Sequence, residues 1–301
     1  MTALVLVAGG TGDLGRRIVR EVLAKDARVR LLTRPGSARE MYAEDDRVEI
    51  VEASYDDPRA LAAAAHSVEV VVSAVSGTRA VIVDAQQALL AAAVSAGVPR
   101  FIPSDYSADY RRIAIGSNRN FELRREFAAD VDAAPLRATS VLNGMFTDLL
   151  LEEAPLILFS RRRVLFWSSP DQELDFTTKD DTARTVAHVA LDNEAPRVVE
   201  VAGDTVTARR IARTMTELTG TPFRLQWAGT TGSLSAMSRV ARRMARNPDD
   251  TFPAWQGMQY FVSMFTGQAH LGRTDNGRYG DTRWTTVRDV LATHPAPSAT
   301  P

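Results

Sequence analysis

The amino-acid sequence predicts an α/β fold: a Rossmann-type doubly wound parallel sheet with a smaller, mostly helical C-terminal subdomain. Through the first half of the chain, apolar runs of strand length alternate with segments that have the apolar spacing of helices. That alternation indicates parallel strands joined by right-handed helical crossovers. A glycine-rich turn also follows the first apolar run directly and precedes the first helix, which is how a βαβ unit of this class begins.

The expected elements of the first half follow from these patterns in order. The valine-rich first run suits a strand that is buried on both faces. Pro58 suits the first turn of a helix, and Gly97 suits a helix end. Strands are expected at residues 3–8, 29–33, 48–52, 68–73, 100–103 and 137–142, and helices at residues 14–25, 38–44, 57–65, 79–96 and 118–130.

The regular alternation of expected strands and helices ends after residue 145, where short strand-like pieces are separated by polar segments. Strands are expected at residues 156–159, 164–167, 174–177, 198–201 and 223–227, helices at 181–192 and 207–219, and a mostly helical stretch from Ser233 onward. We therefore expect a Rossmann-type domain at residues 1–145 and a smaller mixed subdomain, interleaved with it, at residues 146–295. Residues 296–301 are expected to be a disordered tail.

Composition excludes several classes of function. The chain has 301 residues, 45% of them hydrophobic, and a net charge of −1, so no general attraction to nucleic acid or to anionic membranes is expected. It has no cysteine, which excludes disulfides, thiolate metal ligands and cysteine nucleophiles. No run has the length of a signal peptide core or a membrane span, and a cytoplasmic protein is expected. No metal site is expected either, since the histidines are scattered: His66, His188, His270 and His294.

The turn between the first strand and the first helix carries the strongest functional signal. Gly9 allows a sharp turn off the strand, Gly12 leaves room for a diphosphate, and Gly15 lets the helix approach the sheet closely. The amide groups and the dipole of the helix N-terminus then favour phosphate. The alternative is a glycine-rich loop without a ligand. In such a loop the glycines would lose conformational entropy on folding without a functional reason. The cofactor-binding residues expected here are Gly9, Gly10, Thr11, Gly12, Asp13, Leu14 and Gly15.

Arg34 follows the second expected strand at the position where NAD-selective sites carry an acidic residue. An acidic side chain would bind the ribose 2′-hydroxyl and repel a 2′-phosphate, whereas a guanidinium suits phosphate. Arg34 therefore favours NADP over NAD as the cofactor. The alternative is a solvated surface arginine.

Several segments, in this order, resemble the NmrA-like and isoflavone-reductase-like family of atypical short-chain dehydrogenases. The resemblance runs from the N-terminus to about residue 220. It rests on the turn at 9–15 with Arg34, the Gly-Val-Pro-Arg-Phe-Ile-Pro-Ser-Asp-Tyr segment at 97–106, the Thr-Ser-Val-Leu-Asn-Gly-Met-Phe segment at 139–146, the Asp-Asp-Thr-Ala segment at 180–183, and Thr219-Gly220.

The resemblance implies how further residues meet the cofactor. The loop at 73–76 would pass its adenosine side and centre, and the segments 103–106 and 143–146 would lie near the nicotinamide. Met145 is then a substrate-contacting candidate, although core packing explains Met145 and Phe146 equally well. The further cofactor-binding residues implied are Ser73, Ala74, Val75, Pro103, Ser104, Asn143 and Phe146.

One departure from the family bears on catalysis. Family reductases carry a Phe-x-x-Lys segment whose lysine is assigned to proton transfer, and here the segment ends in Arg124. A guanidinium stays protonated, so Arg124 can orient a substrate oxygen but is a poor proton donor. The acid role falls first to Tyr106, whose pKa a nearby cation and nicotinamide would lower, or else to Tyr110, Asp105 or a water. Tyr106 alternatively packs on the cofactor.

The segment 251–271 is crowded with aromatic and methionine residues on both faces of an expected helix. Such a helix is buried on two sides or lines an apolar pocket. We expect it to cover the substrate site, with the alternatives of core packing or a homodimer interface. The substrate-binding candidates are Trp255, Tyr260 and Phe261.

These features together predict an NADPH-dependent reductase that transfers hydride to a small, apolar or aromatic carbonyl or enone acceptor. The alternative is a non-catalytic NADP(H)-binding regulator that contacts another protein. The absent lysine favours the regulator, and the aromatic C-terminal segment favours the enzyme.

Overall fold

The computed structural model of the protein describes residues 2–36, 42, 45–151, 154–247, 250–280 and 283–294. The expected tail at 296–301 and, apart from Tyr42, the expected helix at 38–44 lie outside the described residues. Within those ranges, no helix has the length and apolar character needed to span a membrane.

The described elements follow a mixed α/β order. The strands are β1 (Leu4–Ala8), β2 (Arg28–Thr33), β3 (Val48–Glu52), β4 (Val70–Ser73), β5 (Arg100–Ile102), β6 (Arg137–Ala138), β7 (Ser140–Leu142), β8 (Met145–Phe146), β9 (Ile157–Leu158), β10 (Arg163–Phe166), β11 (Leu174–Thr177), β12 (Val198–Glu200), β13 (Asp204–Val206) and β14 (Arg224–Trp227). The helices are α1 (Asp13–Leu23), α2 (Pro58–Ala65), α3 (Gln86–Ser95), α4 (Arg119–Ala133), α5 (Lys179–Leu191), α6 (Ala208–Thr219), α7 (Thr231–Met244), α8 (Ala254–Phe265) and α9 (Val287–Leu291).

The chain divides into two compact units, each built from separated segments. The first comprises Met1–Tyr106, Leu123–Leu142 and Thr182–Val199, and the second Ser107–Glu122, Asn143–Asp181 and Glu200–Pro301. This division differs from a single boundary at residue 145, because residues 107–122 group with the second unit and residues 182–199 with the first.

The first unit contains a six-stranded parallel sheet in the order β3-β2-β1-β4-β5-β6. This strand order confirms the predicted doubly wound α/β class. The order reverses between β1 and β4, and in such sheets ligands bind in the crevice outside the carboxyl ends of the strands at this reversal. The fold therefore directs attention to Ala8 and Ser73, where β1 and β4 end.

The core of the first unit explains why these runs form strands and helices. Val5, Leu6 and Val7 of β1 are fully buried, as expected for a parallel strand covered on both faces. On α1, Ile18, Val19 and Val22 are fully buried while Arg16 and Arg20 are exposed, which is the stripe of an amphipathic helix packed on a sheet.

The helix expected at 79–96 starts differently from the prediction. Ala80–Ala85 is a π-helical segment, and the α-helix begins only at Gln86. The buried Gln86 amide explains part of this change. Its Nε2 donates to the carbonyl of Ile82 at 2.7 Å, the acceptor that a backbone amide would otherwise use. Gly97, with φ +69, ends the stretch as predicted.

The strand expected at 137–142 is two strands. Thr139 donates its amide to Phe101 of the large sheet at 3.0 Å, and Ser140 donates to Arg197 at 2.9 Å. The chain therefore changes partners at Thr139, leaving β6 in the large sheet and pairing β7 with β12. Apolar patterning alone does not indicate such an exchange, because both pieces have buried residues.

The second unit has small sheets and four helices, α6 to α9, among its described residues. One sheet has the order β13-β11-β8 and another β14-β10-β9. β8 and β13 are short strands that the sequence analysis did not predict. Helices α7 and α8 agree with the expected helical stretch after Ser233, but Thr266–Thr286 contains no helix where it is described.

Candidate functional site

The glycine turn, residues 9–15, lies at the carboxyl end of β1 and has no room for side chains at its two ends. Gly9 has φ +82, and a Cβ there would lie 2.6 Å from the carbonyl oxygen of Ala74. A Cβ on Gly15 would lie 2.1 Å from the carbonyl oxygen of Gly9. The predicted reasons for both glycines thus have direct structural counterparts: one permits the turn and the other permits the helix to approach it.

The turn presents the N-terminus of α1 without a side-chain cap. The Gly12 amide donates to the Gly9 carbonyl at 3.0 Å, which closes the turn, and Gly12 is the N-cap residue with no side-chain hydrogen bond. Gly12 is exposed and a Cβ there would lie 3.3 Å from Gly9. The first amides of α1 are therefore placed to donate to an anion.

Tyr42 lies over the glycine turn and is a residue that the sequence analysis did not single out. Its hydroxyl donates to the carbonyl of Gly10 at 3.3 Å. Burial raises the pKa of Tyr42, and the positive charge of Arg16 opposes that rise. Arg16 is exposed on the first turn of α1, so its guanidinium is a cation close to the glycine turn.

Arg34 directly follows β2, where the sequence analysis placed it, and its side chain is exposed; its role as the 2′-phosphate ligand stays a prediction. Burial raises the pKa of Tyr55 to about 12, and the positive charge of Arg34 opposes that rise, which places the guanidinium within electrostatic reach of the Tyr55 hydroxyl. The neighbouring Thr33 hydroxyl is buried and has no hydrogen-bond partner among the described residues. A cation and an unpaired hydroxyl thus stand at the end of the strand where a ribose phosphate is expected.

The loops after β4 and β5 are tied together beside the glycine turn. The Ser104 hydroxyl donates to the carbonyl of Val75 at 2.6 Å, and the Ser104 amide donates to Gln86 Oε1 at 2.9 Å. The Ser73 hydroxyl is buried and has no partner among the described residues. A buried unpaired hydroxyl at the switch point indicates a polar ligand or water there.

Tyr106 does not have the lowered pKa that the sequence analysis expected. Its side chain is 6% exposed, and its hydroxyl donates to the carbonyl of Ser73 at 3.0 Å. Burial, with a further contribution from the negative charge of Asp105, raises the pKa of Tyr106. The expectation failed because, among the described residues, no cation offsets the cost of burying a phenolate. The phenol instead fixes the Pro103–Tyr106 loop to β4.

A chain of polar contacts leads from Asp105 towards the surface of the first unit. The Ser140 hydroxyl donates to Asp105 Oδ2 at 2.6 Å, and Arg197 Nη1 donates to Ser140 Oγ at 2.7 Å. Arg197 Nε also contacts Asp132 at 2.6 Å. Ser140 and Arg197 thereby hold the buried Asp105 carboxylate in place, and this stabilises the adjacent loop that contains Tyr106.

Arg124 occupies a half-buried position on α4. The preceding residue, Leu123, packs with Ile82 and Val83 of the π-helical segment. These contacts fix the backbone at Arg124, and its role as an orienting charge stays a prediction.

The second unit contains a pocket, here called the His270 pocket, that mixes apolar and ionisable side chains. Gly144 has φ +68, and a Cβ there would lie 2.5 Å from the Asp175 carbonyl oxygen, so only glycine lets β8 approach β11 this closely. β8 pairs Met145 with Phe176, and the side chain of Met145 lines the pocket. The side chains lining it include those of Ala108, Met145, Leu174, Met264, Glu173, Asp175 and His270.

The chain after α8 brings His270 to Asp175. Helix α8 ends at Phe265, Gly267 turns the chain with φ +77, and the His270 amide donates to the Gly267 carbonyl at 3.2 Å. His270 Nδ1 then lies 2.8 Å from Asp175 Oδ2. Its other ring nitrogen, Nε2, lies 3.9 Å from Glu173.

Asp175 is the buried anchor of this arrangement. Its side chain is 3% exposed, and its oxygens also accept from the Leu271 amide at 2.7 Å and from the Thr205 hydroxyl at 2.7 Å. Among the described residues, no group of three or more His, Asp or Glu side chains could hold a metal ion. The arrangement of carboxylate and imidazole is instead one that supports proton transfer.

Asn143 is fully buried just before β8. Its amide donates to the Ser107 carbonyl at 2.9 Å, while both side-chain atoms, Oδ1 and Nδ2, lack a partner in the part of the chain that the structure describes. A buried amide group without partners costs free energy unless a ligand or water satisfies it. Phe146, three residues on, is half-buried and pairs with Thr177.

The three aromatic candidates of α8 have packing partners within the second unit. Trp255 is 2% exposed and lies beneath the guanidinium of Arg119, 4.7 Å from its ring centroid. Tyr260 accepts from Asn120 at 3.1 Å, and Phe261 stacks on Trp167 at 5.2 Å. Met145, not these three, contributes to the described wall of the His270 pocket. A substrate role for Trp255, Tyr260 and Phe261 stays a prediction.

Four residues of these arrangements, Tyr42 and the three that follow, were missed by sequence reasoning. Gln86 stood out weakly, as an amide within an alanine- and leucine-rich helix. His270 and Asp175 gave no signal as a pair, because 95 positions separate them.

Comparison with known proteins supports a family assignment. The NmrA-like family profile matches residues 1–235. Pinoresinol reductase 1 of Arabidopsis thaliana is 29% identical over 87% of this chain and 85% of that protein. Pinoresinol reductase 2 of the same plant is 30% identical over 62% of this chain, and that match spans 64% of its length.

Solved structures share the fold. The structure of AtPrR2 with NADP+ and (+)pinoresinol has a TM-score of 0.79 at 23% identity and covers 97% of this chain and 98% of its own. The binary complex of leucoanthocyanidin reductase and NADPH from Vitis vinifera has a TM-score of 0.81 at 16% identity, with 97% and 99% covered. The family match over most of the chain, the parallel sheet and the glycine turn together show that this chain belongs to the NmrA-like family.

Proposed function

We propose that this chain is an NADPH-dependent oxidoreductase that reduces a small, apolar or aromatic carbonyl or enone acceptor. The observation that carries the proposal is the glycine turn, where Gly9 and Gly15 leave no space for a Cβ and α1 begins without a side-chain cap. A diphosphate would accept from the first amides of α1. An empty loop has no need for this combination.

The residues around the turn suit the rest of the cofactor. Arg34 would bind the 2′-phosphate, which favours NADPH over NADH. The unpaired hydroxyls of Thr33 and Ser73 are buried polar groups of the first unit that a nucleotide would satisfy. When bound, the reduced nicotinamide supplies a hydride. The protein would bind and orient it.

The aromatic character of the acceptor is inferred from the relatives, and the carbonyl or enone group is part of the proposal. Two relatives are named pinoresinol reductases, and a structural neighbour was solved with NADP+ and (+)pinoresinol. In this chain, Met145 and Met264 contribute adaptable apolar side chains to the wall of the His270 pocket. Arg124 would orient an acceptor oxygen by its charge.

The direct test combines binding and turnover. Calorimetric titration with NADPH and with NADH should show tighter association of NADPH. NADPH oxidation is then followed with (+)-pinoresinol and with a panel of aromatic ketones, aldehydes and quinones, and the reduced product is identified by mass spectrometry. Binding of neither nucleotide to the pure protein contradicts the proposal.

A second candidate function, a regulator that senses NADP(H) and contacts another protein, is favoured by Arg124 in place of the family's lysine. It predicts tight NADPH binding without turnover of any acceptor in the panel. Turnover of one acceptor with a defined reduced product would exclude a purely regulatory role.

A further inference from the structure

We propose that a pocket of the second unit, here called the arginine pocket, binds a small soluble molecule that carries at least two phosphate groups. The pocket has a volume of about 350 Å³, and its lining residues all belong to the second unit. They are Ser160, Arg161, Arg162, Arg163, Thr221, Pro222 and Arg224. The arginine pocket shares no residue with the glycine turn or with the His270 pocket, so this binding does not depend on the proposed reduction.

The turn between β9 and β10 brings three consecutive arginines to the pocket. The two strands pair antiparallel with Arg163 opposite Leu158, so the chain reverses direction within residues 159–162. The Arg162 amide donates to the Phe159 carbonyl at 3.1 Å, which closes the turn, and Arg162 has φ +52. This left-handed conformation favours glycine, so an arginine here costs free energy that a functional side chain would justify.

Strand β14 adds the fourth arginine beside the third. β10 and β14 pair in parallel with Arg163 opposite Arg224, and the Arg224 amide donates to the Arg162 carbonyl at 3.0 Å. Neighbouring strands lie about 4.7–4.9 Å apart, so these two side chains start from adjacent backbone positions. Their positive charges repel each other at that spacing.

The four guanidiniums have no carboxylate partner among the described residues. Arg163 donates to the carbonyls of Arg161 and Arg162, at 3.4 and 3.2 Å, which are neutral acceptors. Elsewhere in the same unit an arginine does reach an acid, since Arg209 contacts Asp171 at 2.7 Å. Four uncompensated cations in one pocket oppose folding by mutual repulsion, and a bound anion would remove that repulsion.

The charge and the lining of the pocket define the class of ligand. A guanidinium presents parallel N–H donors that match two oxygens of a phosphate. Because a phosphate monoester carries about −1.5 to −2 at pH 7, two of them neutralise four guanidiniums. The lining also offers the hydroxyls of Ser160 and Thr221, and it contains no aromatic side chain on which a nucleic-acid base could stack. Its volume is at the lower end of the range of roughly 300–1,000 Å³ for small-molecule sites.

The loop between α6 and β14, which forms another part of the wall, is held by its own hydrogen bonds. Helix α6 ends at Thr219, and Gly220 turns the chain with φ +65. The Thr221 amide donates to Thr219 Oγ1 at 3.3 Å, and the Phe223 amide donates to Thr216 Oγ1 at 2.9 Å. A wall that is ordered before binding loses less conformational entropy when a ligand arrives.

Calorimetric titration with inorganic pyrophosphate, at a constant ionic strength of about 0.15 M, tests the pocket directly. The variants are Arg161→Gln, Arg224→Gln and the double variant, and the control is Arg239→Gln, an exposed site on α7 outside the pocket. Each single variant should weaken pyrophosphate binding about 10- to 100-fold, the loss that follows removal of a hydrogen bond to a charged group. The control should bind as the wild type does.

Further ligands and a second cofactor condition sharpen the titration. Orthophosphate, with one phosphate group, should bind at least about 10-fold more weakly than pyrophosphate. Adenosine diphosphate and fructose 1,6-bisphosphate distinguish a nucleotide from a molecule with separated phosphates. Each titration is repeated in the presence of NADPH, so that a diphosphate bound at the glycine turn does not enter the result.

Hydrogen exchange followed by mass spectrometry gives a local readout. Pyrophosphate should slow amide exchange at residues 160–163 and 221–224 in the wild type but not in the double variant. Without ligand, the double variant should unfold at the wild-type temperature or above it, because two mutually repelling charges have been removed. This measurement separates loss of a ligand site from loss of the fold.

Three results would overturn the proposal. The first is an absence of pyrophosphate binding to the wild type, or an unchanged affinity in the double variant. The second is an equal loss of affinity in Arg239→Gln, which would mean that only the general charge of the unit attracts the anion. The third is tighter binding, sensitive to the double variant, of a single-stranded oligonucleotide or of vesicles that contain anionic lipid. None of these results bears on whether the protein reduces an acceptor with NADPH.

Discussion

The glycine turn of the first unit and the His270 pocket of the second are built in different ways. The turn is one uninterrupted run, Gly9–Gly15, whose chemistry is that of backbone amides. The pocket draws on residues near 108, 144, 174, 264 and 270, and its chemistry is that of side chains. A site made of adjacent backbone groups is visible in a sequence, whereas one made of distant side chains is not.

The two regions also differ in what a substitution changes. At the turn, an added methyl group meets backbone atoms that cannot move aside, so space is decisive. In the pocket, Asp175 and His270 could be replaced by amides of similar size, so proton chemistry is decisive. The following predictions test this contrast, from the largest expected effect to the smallest.

Gly15→Ala should have the largest effect, because its Cβ would lie 2.1 Å from the Gly9 carbonyl oxygen. We expect a loss of stability at or above the upper end of about 1–3 kcal/mol for overpacking, together with loss of NADPH binding. Chemical denaturation and calorimetry measure the two. The control is Gly257→Ala on α8, where nothing lies within 4 Å of the added Cβ and a gain of about 0.5–1 kcal/mol is expected. Unimpaired NADPH binding in Gly15→Ala would remove the turn from the cofactor site.

Arg34→Glu should weaken NADPH binding about 10- to 100-fold, since a charge-assisted hydrogen bond contributes about 1.5–3 kcal/mol. NADH binding should be equal or tighter, because the carboxylate can accept from the ribose hydroxyl. The ratio of the two dissociation constants is the measurement, and Arg59→Glu, an exposed site on α2, is the control. An unchanged ratio would mean that another cation, for which Arg16 is a candidate, binds the 2′-phosphate.

Tyr106→Phe tests whether the Tyr106 phenol is the proton donor. It removes the hydrogen bond to Ser73, so a loss of about 1 kcal/mol in stability is expected. Because burial raises the pKa of Tyr106, kcat should change by less than about 10-fold, well below the contribution of a general acid. A loss of about 10² or more in kcat with normal NADPH affinity would assign the acid to the phenol.

His188→Gln should have the smallest effect, and this effect should be a change in how the free energy of unfolding depends on pH below neutrality. His188 Nε2 lies 3.0 Å from Lys25 Nζ, and burial, with the Lys25 charge next, lowers the pKa of His188 from 6.5. The unfolded chain then binds a proton at His188 before the folded chain does, so stability is lost as pH falls below about 6.5. When the pH is lowered from about 7.5 to about 5.5, the free energy of unfolding should fall less in the variant than in the wild type. Urea unfolding at both pH values measures this difference. Equal losses would show that carboxylates alone produce the acid sensitivity.

Much of the first unit was predictable because local patterns and tertiary burial agree there. The predicted strand at 48–52 matches β3, and those at 3–8 and 29–33 differ from β1 and β2 only at their ends. The break at Thr139 was not predictable, because a change of partner strand leaves no mark on apolar spacing. The lowered pKa expected for Tyr106 also failed, since it depended on neighbours and burial that no local pattern specifies.

The sequence alone determined the parallel α/β class and the anion-binding turn, because the first follows from alternating apolar periods and the second from glycines closely spaced in one short segment. Only the tertiary structure decided that Asp175 and His270 meet, that Tyr106 is a buried hydrogen-bond donor, and that Gly144 must admit the backbone of Asp175. The physical reason is range: backbone conformation is set by near neighbours, while the ionisation and orientation of a side chain are set by whatever the fold brings within a few ångströms.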